Sequence, residues 1–449
     1  MTNGETLKKA GSTVKKICMI LYHSNPSACP PLFHAAISFA KRGVLVETVC
    51  VSSDPDYPML ETITEGYQIR RFYFRSQVFF HRHFGLSPSN QLVAALQYVC
   101  SYGEFLFRSC AMALNARADI YEAHDLPALL PSYIVARLRR KPLVFHAHEL
   151  YPEMIAKMRF ARLWKLLEKI LVPRVDLVVT PEENRSRIYY YEYHSKRMPL
   201  TVLNCPPYVP PRKSTKLRDE LAARGIPART IVLYQGLMDT SRCIEELAES
   251  ARYFNDGTVL VLLGDGFKGW ENPSAVFGRS DRIVHHPRVN YEELQAYTSS
   301  ADIGVLFYRN ECRNNYFCAP NKLYEYMMMG LPVITNNFPG IMKIVEGENV
   351  GLCVDPTDPP AVARAIEKLT TNRALYEAMR ENCFRLTREK YNWQEEFKKL
   401  YEGYQTFLNG NGSAAGHRTG ASDSGRFILH GGLGGGAVKN PLPTGDSER

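Results

Sequence analysis

Short apolar runs alternate with helix-length stretches along most of the chain, and this alternation constrains the fold more than any other feature. Runs rich in β-branched residues are typical of parallel strands buried on both faces, where a helix returns the chain after each strand. Five such runs lie in the first half of the chain, at 17–21, 44–51, 119–123, 143–146 and 177–180. Five more lie in the second half, at 231–234, 259–263, 283–285, 303–307 and 333–335.

A proline-rich segment, Cys205–Pro211, separates the two series. The restart predicts an α/β protein with two doubly wound, Rossmann-like domains that face each other across a ligand cleft. We expect an N-terminal extension over 1–15, a first domain over 16–204, a second domain over 205–391 and a disordered Gly/Ser-rich tail over 409–449. In the second domain, Ile244, Leu247, Ala248 and Ala251 have the spacing of a buried helical face.

Composition excludes several classes of protein. The 449 residues, 45% of them hydrophobic, suffice for roughly two domains of about 150–200 residues. The 11 cysteines include no CxxC pair, so we expect reduced thiols in a cytosolic protein rather than a disulfide scaffold or a zinc module. No run reaches the ~18–20 apolar residues of a membrane span, and no signal-peptide core follows the N-terminal lysines.

The net charge of +9 comes from the first 200 residues, which hold 26 Lys and Arg against 17 Asp and Glu, whereas the remainder holds 29 of each. This bias predicts an anionic partner, such as lipid headgroups, a phosphorylated acceptor or nucleic acid. Two basic and aromatic stretches, Arg70–Phe84 and Lys157–Lys165, fit an interfacial membrane contact or base stacking. The alternatives are a solvated basic face and, for the second stretch, a core helix.

The most specific motif is the run over 319–334, APNKLYEYMMMGLPVI. Pro320 presets the first turn of a helix that stops at 330–332, and the free N–H groups at such a helix start bind phosphates. Lys322 in the first turn opposes the helix dipole unless an anion is bound. Glu325, one turn later, can accept hydrogen bonds from sugar hydroxyls. The alternative is a core helix with a solvated lysine.

A second group of residues also fits a phosphate-containing ligand. Gly236 ends the first strand of the second series and lets a ligand approach the backbone, and Arg242 enters the next helix, where it can fork onto phosphate oxygens. With Lys322 it places two cations where a nucleotide diphosphate needs them.

A formal GxGxxG match at 264–269 raises the possibility of a dinucleotide-dependent dehydrogenase. The next strand ends in His285-His286-Pro287, without the acidic residue that holds a ribose, and no helix-forming run opens at the third glycine. We therefore interpret it as a loop near the ligand.

In the first half, polar residues follow two strands, at 121–127 and 145–153, where open α/β sheets carry their chemistry. His124 can hydrogen-bond a sugar or an acceptor hydroxyl, and Glu149 can orient one. A rim histidine with a purely structural role is the alternative.

Together these motifs resemble a family 4 glycosyltransferase of group 1 type, with the two-domain GT-B architecture, over about residues 16–408. The resemblance implies retaining, metal-independent transfer of a hexosyl group from a nucleotide-diphosphate sugar, with no cofactor. It also implies that a terminal helix over 392–408, opening with Asn392-Trp393, crosses back to the first domain.

Residue roles follow from the resemblance. His124, beside the transferred sugar, and Glu325, which binds the ribose, are the expected catalytic residues. The expected donor-binding set is Gly236, Arg242, Val289, Asn321, Lys322, Leu323 and Glu325, with Arg242 and Lys322 on the diphosphate, the backbone of Asn321 and Leu323 beside it and the backbone near Val289 on the base. His148 and Glu149 are expected on the acceptor side, and no residue is expected to bind a metal.

The chain departs from the family pattern at two places. Phe317 stands where many members carry the first of two glutamates, and Ser24–Pro31 replaces the usual glycine-rich acceptor loop. We expect a cytoplasmic enzyme, peripheral at the inner face of the membrane, that uses a saccharide or lipid-linked acceptor in surface-polysaccharide or glycolipid biosynthesis. The alternatives are a nucleotide-sugar epimerase or phosphorylase of the same fold, a nucleic-acid-binding module and a catalytically idle family member. In the main interpretation, nucleic acid is not an expected partner.

Overall fold

The computed structural model describes residues 15–23, 25–52, 57–84, 90–154, 160–268 and 282–409. The expected extension over 1–14 and tail from 410 onward lie outside the described residues, as do Ser24, Lys157–Arg159 and Gly269. All eleven cysteines lie within the described part and are free thiols. Among the described helices, none combines the length and the hydropathy that crossing a bilayer requires.

The N-terminal domain is built on an eight-stranded sheet, counted over the described residues. The strands are β1 Lys16–Leu21, β2 Leu45–Ser52, β3 Leu60–Thr64, β4 Tyr67–Tyr73, β5 Ile120–His124, β6 Leu143–His146, β7 Leu177–Thr180 and β8 Leu200–Thr201. Their order is β3-β4-β2-β1-β5-β6-β7-β8, and β3 alone runs antiparallel to its neighbour. The helices are α1 Pro30–Lys41, α2 Arg75–Phe84, α3 Gln91–Ala116, α4 Leu126–Arg139, α5 Tyr151–Met154, α6 Ala161–Leu171 and α7 Glu183–Tyr191.

The C-terminal domain has a six-stranded parallel sheet in the order β13-β11-β9-β14-β15-β16, with β10 and β12 paired beside it. The strands are β9 Thr230–Gln235, β10 Met238–Asp239, β11 Thr258–Leu263, β12 Gly266–Lys268, β13 Ile283–His286, β14 Ile303–Leu306, β15 Val333–Asn336 and β16 Gly351–Val354. The helices are α8 Lys216–Ala223, α9 Ile244–Ser250, α10 Tyr291–Ser300, α11 Arg313–Tyr316, α12 Asn321–Met328, α13 Pro339–Val345, α14 Pro359–Thr371, α15 Arg373–Glu389 and α16 Trp393–Leu408.

All ten predicted runs form strands, and the two central sheets are parallel as expected. The predicted face of α9 is also confirmed, since Ile244, Leu247, Ala248 and Ala251 are fully buried. Edge strands β3, β8 and β16 were not predicted, because a half-exposed edge strand lacks the continuous apolar run of a strand buried on both faces.

The prediction that Arg70–Phe84 is an exposed basic and aromatic surface is wrong for its first part. Residues up to Tyr73 belong to β4, and Phe72 and Phe74 lie in the core. Arg71 is buried as well, because its guanidinium pairs with Glu61 at 2.6 Å. Charged residues that pair inside β4 interrupt its alternation of apolar and polar residues, so the sequence did not indicate a strand here.

Helix α16 packs against the N-terminal domain although it follows the C-terminal one. Its apolar side chains join the core around Phe39 of α1, and the Trp393 indole donates to Ser38 Oγ at 2.8 Å. Burying each such large side chain contributes roughly 1.5–3 kcal/mol. The last described helix is therefore part of the first domain's core.

Candidate active site

Helix α12 begins directly after Pro320, and no side chain caps its first turn. The N–H of Leu323, expected to face a ligand, already donates to the Pro320 carbonyl at 3.3 Å. At the other end, Gly330 has a φ of +71°, and a Cβ there would meet the Phe384 ring at 2.1 Å. The predicted stop of the helix at this glycine is confirmed.

Gly236 lies at the end of β9 with a φ of +123°, next to the ammonium group of Lys322. A Cβ at this position would lie 2.9 Å from Lys322 Nζ, so a larger residue would push the lysine away. The same ammonium lies 4.3 Å from the centre of the Tyr234 ring, a cation–π contact. The structure thus brings together the strand end and the helix start that the sequence singled out separately.

Arg242 is the second cation at this end of the sheet. Its guanidinium lies 4.2 Å from the centre of the Tyr308 ring and 4.0 Å from Asp239 Oδ2. Within the described part of the chain, its Nη1 is buried and has no hydrogen-bond partner. A buried guanidinium N–H without an acceptor is costly, and an anionic ligand would supply the missing acceptor.

The two cations repel each other. Burial, together with the neighbouring Arg242 guanidinium, lowers the pKa of Lys322 to about 7. Glu325 and Asp239 raise that pKa, but they do not compensate. An anion placed between the two groups would remove the repulsion and restore the positive charge of the lysine.

Glu325 lies on α12 and borders a narrow space between the domains, together with Pro30, Asn204 and Asn321. Its Oε2 accepts a hydrogen bond of 2.7 Å from Gln235 Nε2, and Thr298 Oγ1 donates to the other end of that amide at 2.7 Å. Burial raises the pKa of Glu325. Its carboxylate is therefore held in a fixed orientation at the cleft.

Three histidines line up at the carboxyl ends of β5 and β6. His124 Nε2 and His146 Nε2 lie 2.8 Å and 3.0 Å from Glu122 Oε1. His124 Nδ1 lies 2.9 Å from His148 Nε2. Burial raises the pKa of the Glu122 carboxyl, but the two histidines outweigh that effect and hold it well below its usual range.

His124 borders a cavity of the cleft, but its side chain is buried. Its side chain is 0% exposed, and both ring nitrogens face other side chains of the protein. His148 is half-buried and borders a cavity of about 310 Å³, together with Cys29, Glu149 and Asn321. Of the two histidines, His148 is the one whose free nitrogen remains available to a ligand.

The same residues are the candidates for binding a metal, as Cys29, His124 and His148 or as Glu122, His124 and His146. In the first set the two rings are nearly coplanar, with centres 5.1 Å apart and nitrogens 2.9 Å apart. These values mean that the nitrogens face each other head-on, as in an N–H···N hydrogen bond. Lone pairs that bind one metal must converge on it instead, so this arrangement fits a hydrogen bond better.

Arg185 of α7 connects the two domains beside this wall of the cleft. It is 2% exposed and donates to the carbonyls of Asn314 and Phe317, at 3.0 Å and 2.7 Å, and to Glu149 Oε2 at 3.1 Å. In return, Asn314 Oδ1 accepts from the N–H of Leu150 at 2.8 Å. The segment before α12 is therefore tied to the acceptor-side residues.

Phe317, which stands in place of the first family glutamate, packs against the core of the N-terminal domain. It is a contact between the domains, and its side chain supplies no hydrogen bond to a donor sugar. The structure accounts in this way for the departure at that position.

Two further expectations concern the loops around the donor site. The glycines at 264 and 266 lead into β12, so the segment continues as a strand, unlike a dinucleotide-binding turn. Val289 is partly buried against the C-terminal core, and the N–H of Arg288 lies 3.4 Å from Asp265 Oδ1.

Sequence analysis missed four residues of the site: Glu122, Tyr404, Arg185 and Gln235. Tyr404, from α16, donates to Glu122 Oε2 at 2.8 Å across 282 positions of sequence. Glu122 carried a signal, because a carboxylate inside a buried strand requires partners. Nothing in the sequence identifies the tyrosine as one of them.

Comparisons with known proteins agree with this arrangement. Residues 229–372 match the family model "Glycosyl transferases group 1", and residues 34–187 match "Glycosyl transferase 4-like domain". Together the two matches cover about two thirds of the chain. The chain belongs to the group 1, family 4 glycosyltransferases, and its two facing parallel-sheet domains have the GT-B fold.

Individual relatives are distant. The chain is 30% identical to alpha-D-kanosaminyltransferase of Streptomyces kanamyceticus over 182 residues, which is 39% of this chain and 45% of that enzyme. It is 31% identical to the capsular polysaccharide biosynthesis glycosyltransferase CapM of Staphylococcus aureus over 111 residues, 23% of this chain and 28% of that protein. The match thus spans less than half the length of each relative.

Among solved structures, Anabaena HepE in complex with UDP and glucose superposes with a TM-score of 0.66. The superposition covers 87% of this chain and all of HepE, at 13% identity. At this identity the likeness establishes the fold alone.

Proposed function

We propose that the protein transfers a hexosyl group from a nucleotide-diphosphate sugar to an acceptor, with retention of anomeric configuration and with neither a metal nor a cofactor. The observation that carries this proposal is the pair Arg242 and Lys322, two mutually repelling cations at the same end of the C-terminal sheet. One of them has a buried N–H without an acceptor. HepE, of the same fold, holds UDP.

The arrangement suits a reaction in which negative charge grows on a departing diphosphate. Fixed cations that face this charge stabilise the transition state more than the ground state, because the bridging oxygen gains charge as the sugar bond breaks. Asn321 is the first residue of α12, where the backbone N–H groups are available to phosphates. Glu325, which Gln235 orients, is available to the ribose hydroxyls. The donor therefore lies on the C-terminal domain and the acceptor enters along the wall that holds His148 and Glu149.

A ligand screen tests the donor assignment directly. The melting temperature is measured with UDP, GDP, ADP and dTDP, because a ligand that binds only the folded state raises it. At least one diphosphate is expected to raise it in the wild-type protein but not in Lys322→Ala. Lys343→Ala, which removes an exposed lysine of the same domain, should respond like the wild type. No shift with any nucleotide, or an equal shift in Lys322→Ala, would refute the donor site.

The reaction itself is separated from its alternatives by the fate of a labelled donor. A glycosyltransferase needs the acceptor to consume the sugar nucleotide, whereas an epimerase converts the donor alone and a phosphorylase requires phosphate. Donor binding without turnover under any of these conditions would indicate a catalytically idle member.

We further propose a lipid-linked acceptor in surface-polysaccharide or glycolipid biosynthesis, met at the cytoplasmic face of an anionic membrane. The exposed side of α6 carries Leu163, Leu166 and Ile170, which are 63%, 54% and 44% exposed. Among them stand the exposed cations Arg162, Lys165 and Lys169. Such a mixture favours insertion at an anionic lipid interface.

A neighbouring helix also exposes apolar side chains. Leu92, Leu96 and Val99 of α3 are each more than half exposed. The two helices are in contact, because the Trp164 indole donates to the Tyr98 hydroxyl at 2.8 Å. CapM, a relative, is named for capsular polysaccharide biosynthesis, which is consistent with such an acceptor.

A further inference from the structure

We propose that Arg309 is a positioning residue for Arg242. It holds the short turn that carries this arginine, so that the Arg242 guanidinium is in place before a diphosphate binds. The inference rests on the proposed donor site, in which Arg242 binds the diphosphate. The role of Arg309 is to hold the turn, and Arg242 is the residue that meets the ligand.

The turn that carries Arg242 comprises Thr240–Arg242, directly after the strand β10. It is a 3₁₀ turn of three residues, and Asp239 Oδ1 caps it by accepting from the Ser241 N–H at 2.8 Å. The turn ends at Cys243, which has a φ of +51°, a conformation that residues other than glycine rarely adopt. Because so short a segment makes few hydrogen bonds of its own, contacts from elsewhere in the domain must fix its geometry.

Arg309, three residues after the strand β14, supplies two of these contacts. Its side-chain Nε donates to the Thr240 carbonyl at 2.6 Å, and its backbone N–H donates to the Ser241 carbonyl at 2.8 Å. The two carbonyls belong to the residues that immediately precede Arg242. Hydrogen bonds from a charged guanidinium are roughly twice as strong as those between neutral groups. Arg309 therefore holds the backbone that leads into Arg242.

The guanidinium of Arg309 is also anchored on the other side of Arg242. Its Nη2 lies 2.7 Å from Glu246 Oε1 and 3.5 Å from Glu245 Oε2. Both glutamates are in the first turn of α9, which begins at Ile244. Arg309 thus joins the backbone just before Arg242 to the helix just after it.

The residue before Arg309 contacts the Arg242 side chain. The centre of the Tyr308 ring lies 4.2 Å from the Arg242 guanidinium. The backbone of Tyr308 is itself fixed, because its N–H donates to Asn336 Oδ1 at 2.7 Å and its carbonyl accepts from Asn336 Nδ2 at 3.0 Å. One segment after β14 therefore sets both the backbone and the side chain of Arg242. A cation that is preorganised in this way binds an anion with less loss of side-chain entropy.

A double-mutant cycle tests whether Arg309 acts through Arg242. The Kd of UDP is measured by ligand-observed NMR titration, which reaches millimolar values, in the wild-type protein, Arg309→Met, Arg242→Ala and the double variant. Methionine keeps an unbranched side chain but cannot donate, so Arg309→Met should raise the Kd about tenfold. In the Arg242→Ala background the same change should have no effect. Equal effects in both backgrounds would overturn the proposal, because Arg309 would then act on the ligand independently.

Hydrogen exchange of the ligand-free protein tests the structural part separately. Amides over 240–246 should exchange faster in Arg309→Met than in the wild type, because the turn loses its bond at the Thr240 carbonyl and its link to α9. Arg252→Met removes an exposed arginine that pairs with Glu249 of α9 at 2.7 Å, and it should match the wild type in this exchange and in UDP affinity. Unchanged exchange in Arg309→Met would overturn the positioning role, whatever the ligand.

A milder variant serves if Arg309→Met does not fold. Glu246→Gln weakens the anchor of Arg309 but keeps its bonds to Thr240 and Ser241, so the Kd of UDP should rise by roughly two- to threefold. In the Arg242→Ala background this variant, too, should have no effect. Failure of the proposed donor site has a different signature, since the wild-type protein would then not bind UDP, and the exchange over 240–246 alone decides whether Arg309 holds the turn.

Discussion

The two walls of the cleft meet the problem of buried charge in opposite ways. On the N-terminal wall, the Glu122 carboxylate accepts from the Tyr404 hydroxyl and lies within 3.0 Å of His124 and His146, and these histidines hold its pKa below its usual range. On the C-terminal wall, Arg242 and Lys322 repel each other, and one buried N–H has no acceptor. The first wall brings groups of opposite charge together, and the second brings like charges together. Groups that attract each other hold the wall in place, whereas cations that repel each other favour an anionic ligand.

The largest expected effect removes the carboxylate of the N-terminal wall. Glu122→Ala leaves His124, His146 and Tyr404 without their shared acceptor and should lower the free energy of unfolding by about 3–5 kcal/mol. Urea denaturation measures this loss. An unchanged midpoint would show that the buried network contributes nothing to the fold.

The matching change on the other wall has the opposite signature. Lys322→Ala should reduce transfer by roughly 10²–10³, about 3–4 kcal/mol of transition-state stabilisation. The melting temperature of the ligand-free protein should not fall, because one repulsive interaction is lost. Steady-state kinetics and calorimetry on the same preparation check both parts. A variant that unfolds would mean that the lysine is structural.

A smaller perturbation tests the contact between the strand end and the helix start. Gly236→Ala introduces a Cβ 2.9 Å from Lys322 Nζ and places alanine at a φ of +123°. We expect a loss of about 1–3 kcal/mol in stability, with nucleotide affinity reduced as well. Gly225→Ala, at a positive φ but in open space, is the matched control for backbone strain.

The depressed pKa of Lys322 predicts a pH dependence whose sign can be stated. Between pH 7 and about 10.5 the unfolded chain holds a proton on this group that the ligand-free folded protein lacks, so this group makes stability rise with pH there. A bound diphosphate raises the pKa again, and its affinity should therefore fall as pH rises above 7. Calorimetry at pH 8 in two buffers of different ionisation enthalpy should detect proton uptake in the wild-type protein and none in Lys322→Ala.

The smallest effect concerns the surface outside the cleft. Leu163→Ser with Leu166→Ser should weaken flotation with anionic vesicles while leaving nucleotide binding unchanged. Leu45→Ser, an exposed leucine elsewhere in the same domain, should bind vesicles like the wild type. Equal binding by all three proteins would exclude α6 as the membrane contact.

The sequence was informative to different extents for the two walls of the cleft. On the donor side, the residues that the sequence singled out lie together in the structure, because a helix start, a glycine and a basic residue are local patterns whose physical meaning does not depend on distant partners. The histidine wall was predicted only in outline. His124 was expected beside the sugar, yet its exposure depends on Glu122 and on Tyr404, which lies 282 positions away. No pattern in one sequence fixes such a contact.

The position of α16 has a consequence for the order in which the protein is made. The N-terminal domain leaves the ribosome first, but the hydroxyl that completes its buried carboxylate, and the indole that packs on α1, belong to residues 404 and 393. The first domain to be translated is thus the last to acquire its full core. Until the final helix emerges, the nascent chain holds a carboxylate that lacks one of its donors.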